Sequence, residues 1–151
     1  MCPFCEDAAV REREIIRTKF SWAAPTNIPI VPMHTLVLPQ RHVSSIDALS
    51  QEEHEDIWTL ISKLKAVFRE KFGAEGFNIA INEGEHAGQN VAHLHVHLLP
   101  RREGDTGITE YEPRKFLFRP ALLIRNAVPP SYPQIAHEYR IFALICHVVL
   151  I

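Results

Sequence analysis

Between Gln89 and Pro100 three histidines alternate with aliphatic residues: His93, Leu94, His95, Val96, His97, Leu98. A period of two is that of a β-strand, whose successive side chains point to opposite faces. Leu94, Val96 and Leu98 therefore turn toward a core, and His93, His95 and His97 share the other surface. Residues two apart on a strand stand roughly 6.5–7 Å apart along it, so neighbouring imidazoles can act on one ligand. A row of three groups titrating near pH 6.5 is an uncommon decoration for a merely solvated strand. The same alternation commits the chain to a sheet, because a strand with one apolar face needs partners and a covering layer.

The flanking chain supplies both. Ser50, with Glu53 three residues later, has capping-box spacing. Ile57, Ile61, Leu64 and Phe68 make one helical stripe, broadened by Leu60 and Val67, and Gly73 is placed to end it. This predicts a helix over 51–72. Phe77 to Asn82 reads as a strand, followed by a loop over 83–88 whose Gly84 and Gly88 permit close backbone approach to a ligand. The histidine strand then returns antiparallel. Pro32 to Pro39 contains a strand bounded by prolines. Ile15 to Ala24 reads as a strand or strand pair with Ile16, Thr18, Phe20 and Trp22 on one face, and Ala8 to Glu14 as a short helix. The expected fold is α+β, an antiparallel sheet with one long helix packed on it.

Composition narrows the partners. The chain has 151 residues, 46% hydrophobic and 23% charged, which suits one domain with an ordinary core. A net charge of −2 argues against a nucleic-acid binder. No apolar run reaches the 18 residues of a membrane span. Met1 leads directly into Cys2-Pro3-Phe4-Cys5 and then charges, so no signal peptide is visible. Three cysteines, an odd number, do not suggest a secreted disulfide framework. The expected location is the cytoplasm.

Three chemistries compete for the histidine row: a catalytic zinc, a nucleophile or acid–base group for phosphoryl transfer, and a purely structural row. The flanks favour the second. Gln89 and Asn90 are neutral amide donors suited to anionic oxygens, and the strand itself holds no carboxylate. Cys2 and Cys5 read separately as a zinc half-site, a redox pair or neither.

The stretch Gly88-Gln89-Asn90-Val91-Ala92-His93-Leu94-His95-Val96-His97-Leu98-Leu99 closely resembles the signature of the histidine-triad (HIT) nucleotide hydrolases and transferases, His-φ-His-φ-His-φ-φ with φ apolar. Asn82-Glu83-Gly84 followed by Ala87-Gly88-Gln89 resembles the family's substrate loop. Residues 32–42 resemble its Pro-Gly-His-x-Leu-Val-x-Pro-x-x-His strand. The resemblance covers roughly residues 2 to 105. It implies a hydrolase of nucleoside phosphate anhydrides acting on diadenosine polyphosphate-like substrates. A phosphoramidase of the same family and a nucleotide-binding regulatory protein stand as alternatives.

By the same resemblance, His95 attacks the α-phosphate and carries the nucleotidyl group, His97 contacts phosphate or the leaving group, and His93 orients the site or serves a metal. Gly88, Gln89 and Asn90 meet the phosphates, Asn82 lines the nucleotide pocket, and Asn27 stands in for a ribose contact. Many members hold zinc through positions matching Cys2, Cys5, His42 and His93, a closed structural site. A homodimer is implied too. Met33 departs from the pattern, standing where the family has Gly before His34. The expected domain spans 1–105, followed by a C-terminal tail over 106–151 to which no role attaches.

Overall fold

A computed structural model of the chain describes residues 2–105. In chain order it contains two short helices, Pro3–Glu6 (α1) and Ala8–Arg11 (α2), then strands Ile16–Arg17 (β1), Ser21–Pro25 (β2) and Thr35–Pro39 (β3). The long helix Gln51–Phe72 (α3) follows, and strands Gly76–Ile81 (β4) and Val96–Arg101 (β5) complete the set. The reading of residues 106–151 as a tail lies outside the described residues.

Helix α3 has its expected ends. Ser50 Oγ accepts from the Glu53 N–H at 3.2 Å, and the Glu53 carboxylate accepts from the Ser50 N–H at 2.8 Å. Gly73 closes the helix in the left-handed region at φ 63°. Ile57, Leu60, Ile61, Leu64, Val67 and Phe68 are all buried. Burying each such side chain contributes about 1.5–3 kcal/mol. Propensity differences reach only about 0.7 kcal/mol per residue, so packing on the sheet decides the helix.

The sheet order is β1-β2-β3-β5-β4, every pair antiparallel. β3 and β5 are therefore central, with Leu36 opposite His97. One face packs Ile16, Ala23, Val37, Val96 and Leu98 against α3. The other carries Trp22, Ala24, Leu36 and Leu38, joined by Val10 of α2 and Phe4 of α1. No helix among the described residues is long and apolar enough to cross a membrane.

This second layer is the main departure from expectation. Because α1 and α2 cover the face opposite the helix, the histidines are not displayed on an open surface. His93 and His95 are only 1% and 7% exposed. The ladder also starts at Val96 rather than at Gln89. His93 and His95 lie just before it, where the Leu94 N–H bonds the Val43 carbonyl at 2.6 Å. A third difference concerns Ile16 and Trp22, which face opposite sides. Thr18 N–H bonds Ser21 O at 2.9 Å, and the two-residue turn between them shifts the alternation by one.

Met33 keeps the backbone that a glycine would take freely, at φ 64°. A left-handed conformation costs a side-chain-bearing residue about 1–2 kcal/mol. Met33 is fully buried, and burial worth about 1.5–3 kcal/mol offsets that cost.

Candidate active site

The imidazoles are held by partners that assign their protons. His95 Nδ1 lies 2.8 Å from the carbonyl oxygen of His93. A carbonyl only accepts, so Nδ1 carries the hydrogen and the lone pair is on Nε2. His34 Nδ1 accepts from the Ile30 N–H at 3.2 Å, which places the His34 proton on Nε2. That Nε2–H donates to His97 Nδ1 at 2.9 Å, so His97 carries its own proton on Nε2. The His95 and His97 ring centroids are 5.0 Å apart. The row thus presents a nucleophilic lone pair beside an N–H donor.

Burial keeps these groups neutral. It pushes His34 down to about 3, with His97 the next largest cause, and His97 down to about 4, with His95 contributing. His95 is lowered by burial as well, although its bond to the His93 carbonyl pulls the other way. A neutral imidazole keeps its lone pair and still donates one hydrogen bond, so it can attack phosphorus or hold an oxyanion.

His93 faces a different task. Its Nε2–H donates to the Pro39 carbonyl at 3.0 Å, leaving the Nδ1 lone pair turned to Cys2 Sγ at 3.5 Å and Cys5 Sγ at 3.4 Å. His42 Nδ1 lies 3.5 Å from Cys5 Sγ. Helix α1 is a single turn with Pro3 at its start, where the missing N–H costs nothing. It sets the two cysteines on one side. The four donor atoms of Cys2, Cys5, His42 and His93 all lie within 4.8 Å of one another. A tetrahedral zinc with the usual Zn–S and Zn–N lengths has sulfur–nitrogen edges of about 3.5 Å. The three sulfur–nitrogen distances of 3.4–3.5 Å match those edges. Burial, and then the neighbouring Cys2, pushes the Cys5 thiol up. A divalent cation reverses that balance by stabilising both thiolates. The Pro39 carbonyl fixes the His93 tautomer, as ligand histidines require.

The other expected site residues divide. Gln89 has its amide engaged within the protein: Oε1 accepts from the Gly84 N–H at 2.9 Å and Nε2 donates to the Ser44 carbonyl at 2.9 Å. Glu83 accepts from the Ile46 N–H at 2.7 Å. The loop after β4 is thereby closed on itself and pinned to residues 44–46. Gly88 lies on it in the left-handed region at φ 87°. Asn82 follows β4 one step past the Ile81–Val96 pair, which puts it on the His97 face at the level of His95. Asn90 lines an open groove of about 650 Å³ with Cys2, Cys5, His42 and Ala92, at the metal-facing end of the row. Asn27 is exposed, and its side chain takes the Arg13 guanidinium. No contact brings Asn27 to the histidines among the described residues.

The structure adds two residues to the row, of which His34 already matched a family position close to the active histidines. His34 belongs to the histidine row through its bond to His97. Phe4, in the spacer of the cysteine pair, makes T-shaped ring contacts with both His93 and His95, with centroids 5.7 and 5.5 Å away. An aromatic inside the C-x-x-C spacing was the one available signal.

A five-stranded antiparallel sheet with a single long helix and an inward row of neutral histidines defines an α+β domain. Residues 9–104 match the family model described as HIT domain, and the chain belongs to that family. The chain is 37% identical over 97 residues to the bis(5'-adenosyl)-triphosphatase of Dictyostelium discoideum, covering 64% of this chain and 65% of that protein. It is 43% identical over 89 residues to the asymmetrical bis(5'-nucleosyl)-tetraphosphatase of Schizosaccharomyces pombe, covering 59% and 49%. The chain thus spans between about half and two thirds of these curated relatives. Among solved structures, a zinc-bound histidine triad family protein from Mycobacterium smegmatis superposes with a TM-score of 0.69 at 26% identity, over 97% of this chain and 96% of that one. The fold is also shared with Plasmodium falciparum diadenosine triphosphate hydrolase, at a TM-score of 0.70 and 24% identity over 92% and 79% of the two chains.

Proposed function

We propose that the chain is a HIT-type hydrolase of diadenosine polyphosphate-like anhydrides, acting through a nucleotidyl–histidine intermediate and releasing a nucleoside monophosphate. The observation that carries this reading is the pair formed by the His95 Nε2 lone pair and the His97 Nε2–H. His95 Nε2 attacks the α-phosphorus, a P–N bond forms, and the P–O bond to the departing phosphate breaks. The Nδ1–H bond to the His93 carbonyl stabilises the positive charge that develops on the ring. His97 Nε2–H bonds a phosphate or leaving oxygen. Water then attacks phosphorus, the P–N bond breaks, and the His95 lone pair is restored. Asn82 and the backbone around Gly88 and Asn90 complete the phosphate contacts. Gln89 serves mainly by holding the loop. Curated relatives named for diadenosine triphosphate and dinucleoside tetraphosphate cleavage support this substrate class.

The protonation states favour this reading over the phosphoramidase alternative, and a substrate panel separates the two. An amine leaving group needs a proton, and burial leaves His34 and His97 neutral near pH 7, with nothing to give beyond a hydrogen bond. A polyphosphate departs as a stable anion. In a panel of diadenosine polyphosphates and adenosine phosphoramidates, AMP release is expected to be faster from the anhydrides. Faster release from phosphoramidates would overturn the assignment, and tight nucleotide binding without AMP release would return the regulatory alternative.

Zinc is the cation that suits a Cys2/Cys5/His42/His93 set, and the reducing cytoplasm suits its thiolates. Bound there, it would act structurally, leaving His95 and His97 for chemistry. Chelation, or Cys5→Ser, is expected to release stoichiometric zinc and to raise amide hydrogen exchange over residues 2–11 while α3 stays protected. Full zinc retention in Cys5→Ser would contradict this ligand set. We also read residues 1–105 as the catalytic domain of a homodimer. Strand β4 is an uncharged edge with Ile79 exposed, pairing only with β5 among the described residues, and such edges are rarely left open. A monomer mass in sedimentation equilibrium would refute the dimer.

A further inference from the structure

Phe4 occupies a position that neither hydrolysis nor metal binding requires of it. It sits between the two cysteines in sequence, packs with the Trp22 and Leu36 cluster, and makes T-shaped ring contacts with His93 and His95. The interplanar angles are 88° and 62°, the edge-to-face arrangement that aromatic rings prefer. His95 is also held by the His93 carbonyl, and His93 is the residue whose other ring nitrogen faces both cysteine sulfurs. Two links therefore run from the cysteine knuckle to the nucleophile, one through the His93 main chain and one through the Phe4 ring.

We propose that Phe4 is a positioning residue for His95, and that the Cys2/Cys5/His42/His93 site, through Phe4 and His93, sets the orientation of the nucleophile's ring. The proposal rests on His95 being the nucleophile. The physical reason is geometric. A hydrogen bond at Nδ1 fixes the tautomer but leaves the imidazole free to rock about that bond. A second ring packed against it in T-shaped contact removes that freedom and keeps the Nε2 lone pair aimed. Anchoring Phe4 between two cysteines on a one-turn helix makes its own placement depend on whatever holds the cysteines. A helix of four residues has little stability of its own.

The test uses the full chain loaded with metal. Phe4→Leu keeps the packing volume and removes the ring, while Phe4→Tyr restores a ring. Imidazole nitrogen–proton correlation spectra are expected to show His95 as a single Nδ1–H tautomer in the native protein and in Phe4→Tyr. In Phe4→Leu the Nδ1–H signal is expected to become exchange-broadened as the ring rocks, with the cobalt–thiolate absorption of the cobalt-substituted protein unchanged. With diadenosine triphosphate, Phe4→Leu is expected to lower kcat about 2- to 12-fold, the worth of one aromatic pair, with KM unchanged. Chelating the metal from the native protein is expected to broaden the same His95 signal. An unaltered spectrum in Phe4→Leu, or after chelation, overturns the proposal. So does a raised KM with kcat intact, which would make Phe4 a nucleoside contact, or loss of the cobalt band in Phe4→Leu, which would assign the effect to the metal site alone. Absence of AMP release from the native protein would fail the hydrolase reading, yet the spectra would still decide the role of Phe4.

Discussion

His95→Gly is expected to lower kcat for AMP release by about 10⁴-fold or more, equivalent to about 5.4 kcal/mol of barrier, and to abolish the trapped nucleotidyl adduct. The size follows from what is lost. Among the described residues the neighbouring imidazoles are otherwise engaged: His97 Nδ1 is occupied by the His34 Nε2–H, and His93 Nδ1 is turned to the cysteines. Without a nucleophile the reaction must proceed by direct water attack, supported only by the remaining donors. Removing the His97 donor instead, as in His97→Gln, leaves the nucleophile in place and is expected to cost about 10²–10³-fold, the range for one oxyanion donor. The order of the two effects is as informative as their size. Rapid acid quench of substrate labelled in the adenosine, followed by mass spectrometry, reads the adduct directly. An adduct persisting in His95→Gly, or activity above a tenth of the native rate, would move the nucleophile elsewhere.

The second large effect is acid destabilisation beginning unusually close to neutrality. His34 and His97 are held near 3 and 4, while in an unfolded chain both titrate near 6.5. Above pH 6.5 they are neutral in both states and contribute no pH dependence. Below it the unfolded chain binds protons that the native protein refuses, so stability falls. The fall continues until the native values near 4 and 3 are reached. Each group contributes a slope of about 1.4 kcal/mol per pH unit, so by pH 5 the pair costs about 4 kcal/mol relative to pH 7. That is a large share of the 5–15 kcal/mol of a typical domain. Urea unfolding at pH 7.5, 6 and 5 reads this directly. His34→Asn, which removes one titrating ring, is expected to reduce the slope by about half. Equal stability at pH 7.5 and pH 5 would show that these imidazoles are accessible to protons in the native state.

The long helix was legible to the residue, because everything that defines it lies within its own span: Ser50 and Glu53 at one end, Gly73 at the other, and an apolar stripe between. The return of 77–100 as an antiparallel pair was legible for the same reason, although β4 begins at Gly76 and the ladder of β5 runs only from Val96 to Arg101. The four donors of the cysteine–histidine set were named from family resemblance, and the fold brings them together. Faces were less legible. Ile16 and Trp22 alternate in step along the chain, yet a two-residue turn between them sends the two side chains to opposite layers. Asn27 matched a ribose position by its place in the chain but pairs with Arg13 instead.

What the sequence determined alone was the row itself: three imidazoles at strand spacing, beside a helix able to cover their strand, in a family that uses them. What it could not determine was which nitrogen of each ring is free. The His93 proton is assigned by Pro39, 54 residues earlier, and the His97 proton by His34, 63 residues earlier, itself set by the Ile30 N–H. Periodicity records how an element buries its own face. It carries no information about which carbonyl or N–H from a distant strand will meet a given ring. Tertiary packing made that choice, leaving the His93 Nδ1 turned to two cysteine sulfurs, the His95 lone pair on Nε2 and the His97 hydrogen on Nε2.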